Sequence, residues 1–375
     1  MSYINFNNAG SSFVTNQTLK IVKSYFDYEN NIGGYNAENL CKKKISEFYF
    51  NTAKLINCDP TEISFLQNST YAWNFFLNSI ILKKNENVII LDNEYGSNLI
   101  GIINKRINYK ISKLKKDGRV CLDDLKDKID KKTKIIFACH IASQCGDVIE
   151  IERIGKLLKQ LNKNIIFVVD ACQSIGQVKI DVKKQKIDIL VGSGRKYLRG
   201  PRGTGLLYVN KKIKKKISPF ILDIKSCLIK KNQIFIKKKS PIFEVFEYSP
   251  ALKLGLSNAI ANVNKIGIEK IEKKIKNLSR FFLNDMKPFS KFTFYENSKL
   301  NVGINTFSIK GIKTQEIYEF LLKKKFLTSV SNLQTSTHYF KKKNINSVIR
   351  VSFHYYNKIE EIKKLKKCLI DLIKK

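Results

Sequence analysis

"IDILVGSGRKYLRGPRGTGLLYV", residues 187–209, joins two apolar runs through a loop that holds five of the chain's 18 glycines. The loop also carries Arg195, Arg199 and Arg202 around a single lysine, Lys196. Runs this apolar predict strands that are buried on both faces of a sheet. The loop between them would place a lysine amine and three guanidinium groups at one edge of that sheet.

Four more apolar runs precede this stretch and extend the same pattern. They lie at 62–67, 87–92, 133–140 and 164–170. Amphipathic stretches with helical periodicity, such as 70–82 and 151–161, separate most of them. Apolar strands that alternate with helices predict an α/β fold built on a mainly parallel sheet with both faces covered.

The pattern changes after about residue 255. The spacing there predicts a long lysine-rich helix over 257–278 and a closing helix from residue 358. Strands are predicted near 292–297, 304–309 and 348–353. We therefore predict a second, smaller α/β domain in the carboxyl-terminal part of the chain.

The chain carries 69 lysine and arginine residues against 32 acidic residues, which gives a formal charge of +37. Such a balance is usual in proteins that bind nucleic acid or an acidic surface, and these proteins concentrate the charge in one patch. Here the lysines occur in almost every segment, so we favour solvated lysine faces and expect no nucleic-acid partner. Only eight of the basic residues are arginine, which indicates positions where guanidinium geometry is needed.

The eight cysteines contain no CxxC pair and no Cys/His spacing of a zinc site. We therefore expect reduced thiols and no bound metal. The first residues, "MSYINFNNAG", lack a charged segment followed by an apolar one, and no apolar run approaches the roughly 18 residues of a membrane span. These features predict a cytoplasmic protein that has no membrane segment.

Polar residues that follow the predicted strands are candidate site residues, because ligands of open α/β sheets bind beyond the carboxyl ends of the strands. Ser69 and Thr70 begin a predicted helix and offer hydroxyl and backbone N–H groups to an anion. The alternative for this pair is ordinary helix capping. Asp170 ends the run 164–170, where a carboxylate needs a cationic or hydrogen-bonding partner. Its alternative role is to cap a turn.

The loop 192–205 adds Ser193 and Arg195 for an anion and Lys196 as an amine. The alternative is a glycine-rich turn that is basic by composition. Neither a P-loop nor a GxGxxG motif occurs in the chain. Together these residues match pyridoxal phosphate, which has a phosphate for the anion site, a cationic ring nitrogen for Asp170 and an aldehyde for Lys196.

"VVDACQSIGQVKIDV" (168–182), followed by "DILVGSGRKYLRGPRGTGLLYV" (188–209), resembles the cofactor signature of the class V aminotransferases, a family of fold-type I pyridoxal-phosphate enzymes. The resemblance covers nearly the whole chain. It implies the α/β fold of the type I transferases, with a mainly parallel seven-stranded sheet in a large domain and a smaller C-terminal α/β domain. The implied boundaries are 1–30 for an N-terminal segment that packs with the small domain, 31–250 for the large cofactor-binding domain and 251–375 for the small domain.

The resemblance also implies roles for individual residues. Lys196 is the catalytic residue that bonds to the cofactor aldehyde, Asp170 pairs with the pyridine nitrogen, and Gln173 contacts the ring oxygen. The residues implied to hold the phosphate are Ser69, Thr70, Ser193 and Arg195. Arg195 departs from the family, in which histidine often precedes the lysine, but a guanidinium also suits phosphate.

Two further cofactor contacts are implied by the resemblance alone. In "LDNEYGSN" (91–98), Tyr95 matches the aromatic residue that stacks on the cofactor. The alternative interpretation is that Tyr95 is an amphipathic aromatic residue at the start of a helix. In "CHIASQCGDV" (139–148), Ser143 falls in the loop that lines the other side of the cofactor.

Arg350, in "IRVSFHYYN" (349–357), matches the family's bidentate anchor for the carboxylate of an amino-acid substrate. It is the only arginine after Arg280, in a segment otherwise rich in lysine. That isolation favours the anchoring role over the alternative, a surface ion pair.

The cofactor supports transamination, elimination, racemisation and desulfuration alike, so the fold does not settle the reaction. Cysteine desulfurases of the family use a nucleophilic cysteine shortly before the carboxylate-binding arginine, and this chain has none from Phe326 to Arg350. Persulfide-forming desulfuration is therefore disfavoured. "FNNAGSS" (6–12) and "FEVFEYSPALKLGL" (243–256) resemble motifs of the hercynylcysteine sulfoxide lyases, and isopenicillin-epimerase-like proteins share some of them.

We therefore predict a carbon–sulfur lyase that acts by β-elimination on a cysteine S-conjugate or sulfoxide. The alternative is an aminotransferase or epimerase that acts on an amino acid. A third hypothesis, a basic polyanion-binding protein with an inactive cofactor site, is disfavoured because Lys196, Asp170 and Arg350 are all present. The resemblance also implies a homodimer whose active sites are completed across the interface.

Overall fold

The computed structural model describes residues 2–161, 164–214, 217–237, 242–295 and 302–374. Its helices are α1 (Asn16–Ile32), α2 (Gly34–Ile56), α3 (Ser69–Ser79), α4 (Gly96–Asn104), α5 (Leu122–Lys128), α6 (Ile151–Gln160), α7 (Lys211–Lys214), α8 (Pro250–Ile266), α9 (Ile268–Met286), α10 (Thr314–Lys323), α11 (Thr337–Lys343) and α12 (Ile359–Ile373). Its strands are β1 (Ile4–Asn5), β2 (Ile63–Leu66), β3 (Asn87–Leu91), β4 (Asn108–Ser112), β5 (Thr133–Cys139), β6 (Ile166–Asp170), β7 (Ile189–Ser193), β8 (Gly205–Val209), β9 (Cys227–Lys230), β10 (Gln233–Ile236), β11 (Phe292–Phe294), β12 (Ile304–Ile309), β13 (Phe326–Leu327), β14 (Ser329–Asn332) and β15 (Ser347–Ser352). In these described ranges, no helix is long and apolar enough to cross a membrane.

The central sheet has seven strands in the order β2-β8-β7-β6-β5-β3-β4. Neighbouring strands run parallel from β7 to β4, whereas β8 runs antiparallel to both of its neighbours. The predicted mainly parallel seven-stranded sheet is therefore confirmed, and each of the six apolar runs forms one strand. The seventh strand, β4, has the mixed sequence "NYKIS" and lies partly exposed at the edge of the sheet, so hydrophobicity alone did not reveal it.

Both faces of this sheet are buried. Val88 and Ile90 of β3 belong to the hydrophobic core on one face, whereas Ile89 and Leu91 belong to the core on the other. All four side chains are inaccessible to solvent. Burying a side chain of this size stabilises a fold by about 1.5–3 kcal/mol relative to leaving it exposed. The sheet is therefore a firm support for the polar residues at its strand ends.

The prediction of one continuous helix over 257–278 is wrong. The structure has two helices here, α8 and α9, which meet at Gly267. Gly267 has a φ of 90°, a conformation that favours glycine, and its N–H bonds to the carbonyl of Val263 where α8 ends. The lysine-rich periodicity continues across the break, so the pattern alone did not show it.

A second, antiparallel sheet forms in the carboxyl-terminal part, with the strand order β11-β12-β15-β14. β12 and β15 lie where strands were predicted. β11 ends at Phe294, and positions 296 and 297 of the predicted strand lie outside the described residues. β14 has the sequence "SVSN", which is too polar for its pairing with β15 to be visible in the sequence.

The amino-terminal residues contact both parts of the molecule. β1 pairs in parallel with β13, and Asn7 forms a bridge with Ser352 of the small sheet. The helix that follows, α1, packs instead against α2 and α8. The domain boundaries at 30 and 250 stay a prediction.

A buried ion pair ties α8 to β2. Lys253 of α8 donates to Glu244 at 3.3 Å and to the hydroxyl of Tyr49 at 2.6 Å. Lys225 also pairs with Glu244, at 3.1 Å. Glu244 accepts a 2.6 Å hydrogen bond from the backbone N–H of Phe65 in β2. Because Glu244 and Lys253 are almost completely buried, loss of one partner would leave the other charge without water to solvate it.

We expect Glu244→Gln to lower the free energy of unfolding by about 3–5 kcal/mol, because Lys253 then becomes an uncompensated buried cation. Burial lowers the pKa of Lys253 to about 8 in the presence of Glu244, so the loss should be smaller at pH 9.5, where the amine is neutral in both proteins, than at pH 7. Urea denaturation at pH 7 and at pH 9.5 measures both effects. Glu247→Gln, at an exposed position, is the matched control and should change stability by less than about 0.5 kcal/mol. Equal stability of the two variants at pH 7 would contradict this account of the ion pair.

Candidate active site

A cavity of about 290 Å³ opens at the carboxyl ends of β5 and β6. The predicted site residues that line it are Ser69, Thr70, Tyr95, Ser143, Asp170, Gln173, Arg195 and Lys196. Ser193 and Arg350 do not line the cavity, but each contacts a residue that does. The structure therefore brings the predicted residues together from distant parts of the chain.

One end of the cavity is formed by the start of α3, whose first residue is Ser69. Asn68 caps this helix, because its side chain accepts the N–H of Tyr71 at 2.8 Å. The capping alternative for Ser69 and Thr70 is therefore wrong. Ser69 Oγ lies 2.9 Å from Ser193 Oγ. These hydroxyls and the N–H groups of the first helical turn have the geometry to hold an anion.

Gly205 allows this helix start to approach the loop that carries Lys196. A Cβ atom at Gly205 would lie 2.8 Å from the backbone of Asn68 and 2.9 Å from the carbonyl oxygen of Gly192. Any side chain here would push α3 away from β7 and β8. The glycine is therefore required for close packing beside the anion-binding groups, and not merely for a flexible turn.

Asp170 ends β6 with both carboxylate oxygens hydrogen-bonded. Oδ1 accepts the N–H of Cys172 at 2.8 Å, and Oδ2 accepts an N–H of the Asn98 side chain at 2.8 Å. The first bond is the turn-capping contact considered as the alternative for Asp170. The second comes from a residue of α4 to which the sequence assigned no role. Asp170 also lines the cavity, where its carboxylate can meet a cationic group.

Lys196 lines the same cavity from the loop after β7. Its Nζ has no hydrogen-bond or ion-pair partner among the described residues. Burial lowers the pKa of this amine, and the positive charges of Arg195 and Arg350 act in the same direction. A lowered pKa increases the fraction of neutral amine, which is the form that attacks an aldehyde.

Gln173 is buried, but its side-chain amide is not oriented for the predicted contact with the ring oxygen of the cofactor. Its Nε2 donates to the carbonyl of Ala9 at 3.0 Å, whereas Oε1 has no partner among the described residues. A carbonyl oxygen does not complement a negatively charged ring oxygen. The predicted contact therefore requires the amide group to turn over, and it stays a prediction.

Tyr95 is the N-cap residue of α4, and its side chain makes no capping hydrogen bond. The alternative of an aromatic at a helix start describes its position correctly, yet the residue also lines the cavity. Ser143 lines the cavity as well, and its carbonyl accepts a 3.1 Å hydrogen bond from Arg350. Stacking by Tyr95 and a cofactor contact by Ser143 stay predictions.

Arg350 lies on β15 beside the cavity and is almost fully buried. Besides its bond to Ser143, it donates from Nη2 to Oδ1 of Asn7 at 3.3 Å. Within the described ranges no carboxylate pairs with Arg350, and its Nε is buried without a partner. The surface ion-pair alternative is therefore wrong. A buried guanidinium with an unused N–H is suited to bind a carboxylate.

Several residues that were not predicted also line the cavity, namely Gln67, Asn68, Cys139, Cys172, Arg202 and Gly203. Most of them follow or end a predicted strand, so the rule that selected Asp170 covers them too. Burial raises the pKa of the Cys139 thiol well above its ordinary value and that of Cys172 to about 12. Both groups are therefore held as neutral thiols.

The cavity fits pyridoxal phosphate. It combines an amine, a buried carboxylate and a set of anion-binding groups, which are the partners of an aldehyde, a cationic ring nitrogen and a phosphate. The part of the chain that the structure describes contains no group of three or more His, Cys, Asp or Glu residues placed to hold a metal ion.

Asn68→Ala is expected to destabilise the protein by about 1 kcal/mol and to weaken pyridoxal phosphate binding, because the first turn of α3 frays at the anion-binding groups. Thr15→Ala removes the corresponding cap of α1, where Thr15 accepts the N–H of Thr18, and it serves as the control. The control should lose similar stability and keep its cofactor affinity. Absorbance titration of the apoprotein with pyridoxal phosphate measures the affinity. Equal affinities for the two variants would contradict the placement of the phosphate.

Comparison with known proteins places this arrangement in a family. The family model for class V aminotransferases matches residues 4–365. A probable cysteine desulfurase of Pyrococcus abyssi is 28% identical over 99% of this chain and 94% of its own length. The solved apo structure of a cysteine desulfurase from Thermococcus onnurineus NA1 superimposes with a TM-score of 0.91 at 23% identity, covering 99% of this chain and 95% of that one. The structure of a cystine C–S lyase with its product cysteine persulfide gives a TM-score of 0.87 at 19% identity, over 97% and 96% of the two chains.

The two structural similarities show the fold, which is that of the type I pyridoxal-phosphate enzymes. The family match spans nearly the whole chain, including every residue discussed for the cavity. The chain therefore belongs to the class V aminotransferase family, whose members are pyridoxal-phosphate-dependent enzymes that act on amino acids.

Proposed function

We propose that this chain is a carbon–sulfur lyase that acts by β-elimination on a cysteine S-conjugate or sulfoxide. With a conjugate, the substrate and one water give pyruvate, ammonium and a thiol, and with a sulfoxide the sulfur leaves as a sulfenic acid. The observation that carries the proposal is the segment 326–350. It contains no cysteine, although desulfurases of this family have their nucleophile shortly before the arginine that binds the carboxylate.

The cysteines of the cavity do not replace that nucleophile. Persulfide formation requires a thiolate, whereas burial raises the pKa of both Cys139 and Cys172. The negative charge of Asp170 adds to the effect at each thiol. Neutral buried thiols favour a reaction in which the sulfur leaves with its own substituent and is not transferred to the protein.

In this reaction Arg350 would bind the substrate and Lys196 would transfer its proton. Arg350 binds the carboxylate through its unused Nε–H and so orients the amino acid in the cavity. Lys196 Nζ takes the proton from Cα, because burial lowers the pKa of this amine and so increases the fraction in the neutral form that can accept a proton. Bound pyridoxal phosphate supplies an electron sink for the charge that develops at Cα. Asp170 offers its carboxylate to the ring nitrogen and keeps that sink cationic.

We also propose that the enzyme works as a homodimer in the cytoplasm. The hairpin β9–β10 carries exposed apolar side chains, Leu228, Ile229, Ile234 and Phe235, which a second copy of the chain would shield from water. None of the eight cysteines, all of which lie in the described ranges, forms a disulfide, as is usual where thiols are kept reduced.

The reconstituted enzyme should release pyruvate from a cysteine S-conjugate over many turnovers without any keto acid. Cys139→Ser and Cys172→Ser should retain this activity because the proposed reaction uses no protein thiol, whereas Lys196→Ala should lose about 10²–10⁴-fold. Coupling to lactate dehydrogenase follows the pyruvate. A single turnover that resumes only after a keto acid is added would indicate an aminotransferase. A protein persulfide that disappears in one of the serine variants would indicate a desulfurase.

Arg350→Lys should raise KM for the amino acid by about 10–100-fold, since an ammonium cannot replace the charge-assisted bonds of a guanidinium. Arg280→Lys, at an exposed position of α9, is the matched control and should leave KM unchanged. Affinity for pyridoxal phosphate should be similar in both variants. An unchanged KM in Arg350→Lys would exclude Arg350 as the carboxylate anchor.

A further inference from the structure

A chain of three buried polar side chains lies behind the cavity. The Nδ2 group of Asn98, in α4, donates one hydrogen bond of 2.9 Å to Oε1 of Glu94 and another of 2.8 Å to Oδ2 of Asp170. Glu94, Asn98 and Asp170 are only 2%, 3% and 4% exposed. One amide group therefore joins two carboxyl groups that have almost no contact with water.

The two carboxyl groups are satisfied unequally. Both oxygens of Asp170 accept hydrogen bonds. Oε1 of Glu94 accepts from Asn98 and from the N–H of Tyr95, whereas no described residue bonds to Oε2. Burial, assisted by the charge of Asp170, raises the pKa of Glu94 to about 7. Asp170 is therefore the better supported anion, and Glu94 is the group that holds a proton below neutral pH.

The surroundings of Glu94 contain few other charges. From β5, the Cys139 thiol interacts electrostatically with both Glu94 and Asp170. From the segment before α11, the hydroxyl of Ser336 donates to the backbone carbonyl of Glu94. Asp92, two residues earlier, is paired with Lys342 at 2.6 Å. Asp170 is therefore linked to Glu94 through the side chain of Asn98, which bonds to both carboxyl groups.

We propose that Asn98 and Glu94 are positioning residues for the reaction: Asn98 orients Asp170 toward the ring nitrogen of the cofactor, and Glu94 adjusts, through Asn98, the negative charge that this nitrogen meets. The inference rests on the proposed placement of the ring nitrogen against Asp170. When Glu94 ionises, a second negative charge lies behind Asp170 and a cationic ring is held more firmly. When Glu94 is protonated, Asp170 acts alone.

If Glu94 and Asn98 had only a structural role, cofactor affinity would respond differently to their substitution. Glu94 also accepts the N–H of Tyr95, the N-cap residue of α4, so it could serve only to hold the start of this helix. In that case its removal would change stability without linking cofactor affinity to pH. The dependence of cofactor binding on pH therefore separates the two roles.

The test is titration of the apoprotein with pyridoxal phosphate from pH 6 to pH 8, comparing wild type with Glu94→Gln. The variant is isosteric and always neutral. The ratio of its dissociation constant to that of the wild type should rise about fivefold over this range if the cationic ring lowers the pKa of Glu94 by about one unit. Ionisation of the phosphate and of Lys196 affects both proteins alike and cancels from the ratio. Glu62→Gln, at a buried glutamate that bonds to backbone N–H groups outside the cavity, should give a constant ratio.

Two further variants show which assumption fails. Asn98→Leu should weaken cofactor binding by about tenfold or more, because Asp170 loses a hydrogen bond to a charged group, and it should shift the absorption maximum of the bound cofactor. Asp170→Asn should do the same to a greater extent. A constant ratio for Glu94→Gln, with Asp170→Asn impaired, would overturn the inference and leave the proposed function intact. Unchanged affinity and spectrum in Asp170→Asn would instead overturn the placement of the ring nitrogen.

Discussion

The buried carboxylate of Asp170 is the constraint on which the site depends. It ends a strand whose flanking strands and helices exclude water, so its charge must be met by donors placed for that purpose. The N–H of Cys172 and the side chain of Asn98 supply two such donors, and the open cavity in front of it leaves room for a cation. The lysine amine, the helix start and the guanidinium groups are arranged around this fixed anion.

Much of the fold could be predicted because it depends on burial. All six apolar runs became strands of the central sheet, and four of them, β3, β5, β6 and β7, lie in its parallel part. β4 and β14 were missed because edge strands are partly exposed and carry mixed or polar sequences. The break at Gly267 was missed because one backbone angle, and no change in hydrophobic pattern, separates α8 from α9.

The candidate site was partly predictable for a related reason. Parallel strands deliver the residues after them to one edge of the sheet, so Ser69, Asp170 and Lys196 could be grouped from sequence alone. Tyr95, Ser143 and Arg350 came from family resemblance. Glu94 and Asn98 were not found by either route, because the hydrogen bonds that join Glu94 to Asn98 and Asn98 to Asp170 leave no spacing signal in the chain.

The antiparallel strand β8 has a consequence for how the cofactor arrives. Ser193 and Gly205, the ends of the loop that carries Lys196, are direct partners across β7 and β8, and Gly194 bonds back to Thr204 within the loop. A nucleophile on a segment pinned at both ends has a high effective molarity toward anything that enters the cavity. A covalent bond from Lys196 to the cofactor aldehyde would therefore require little backbone rearrangement.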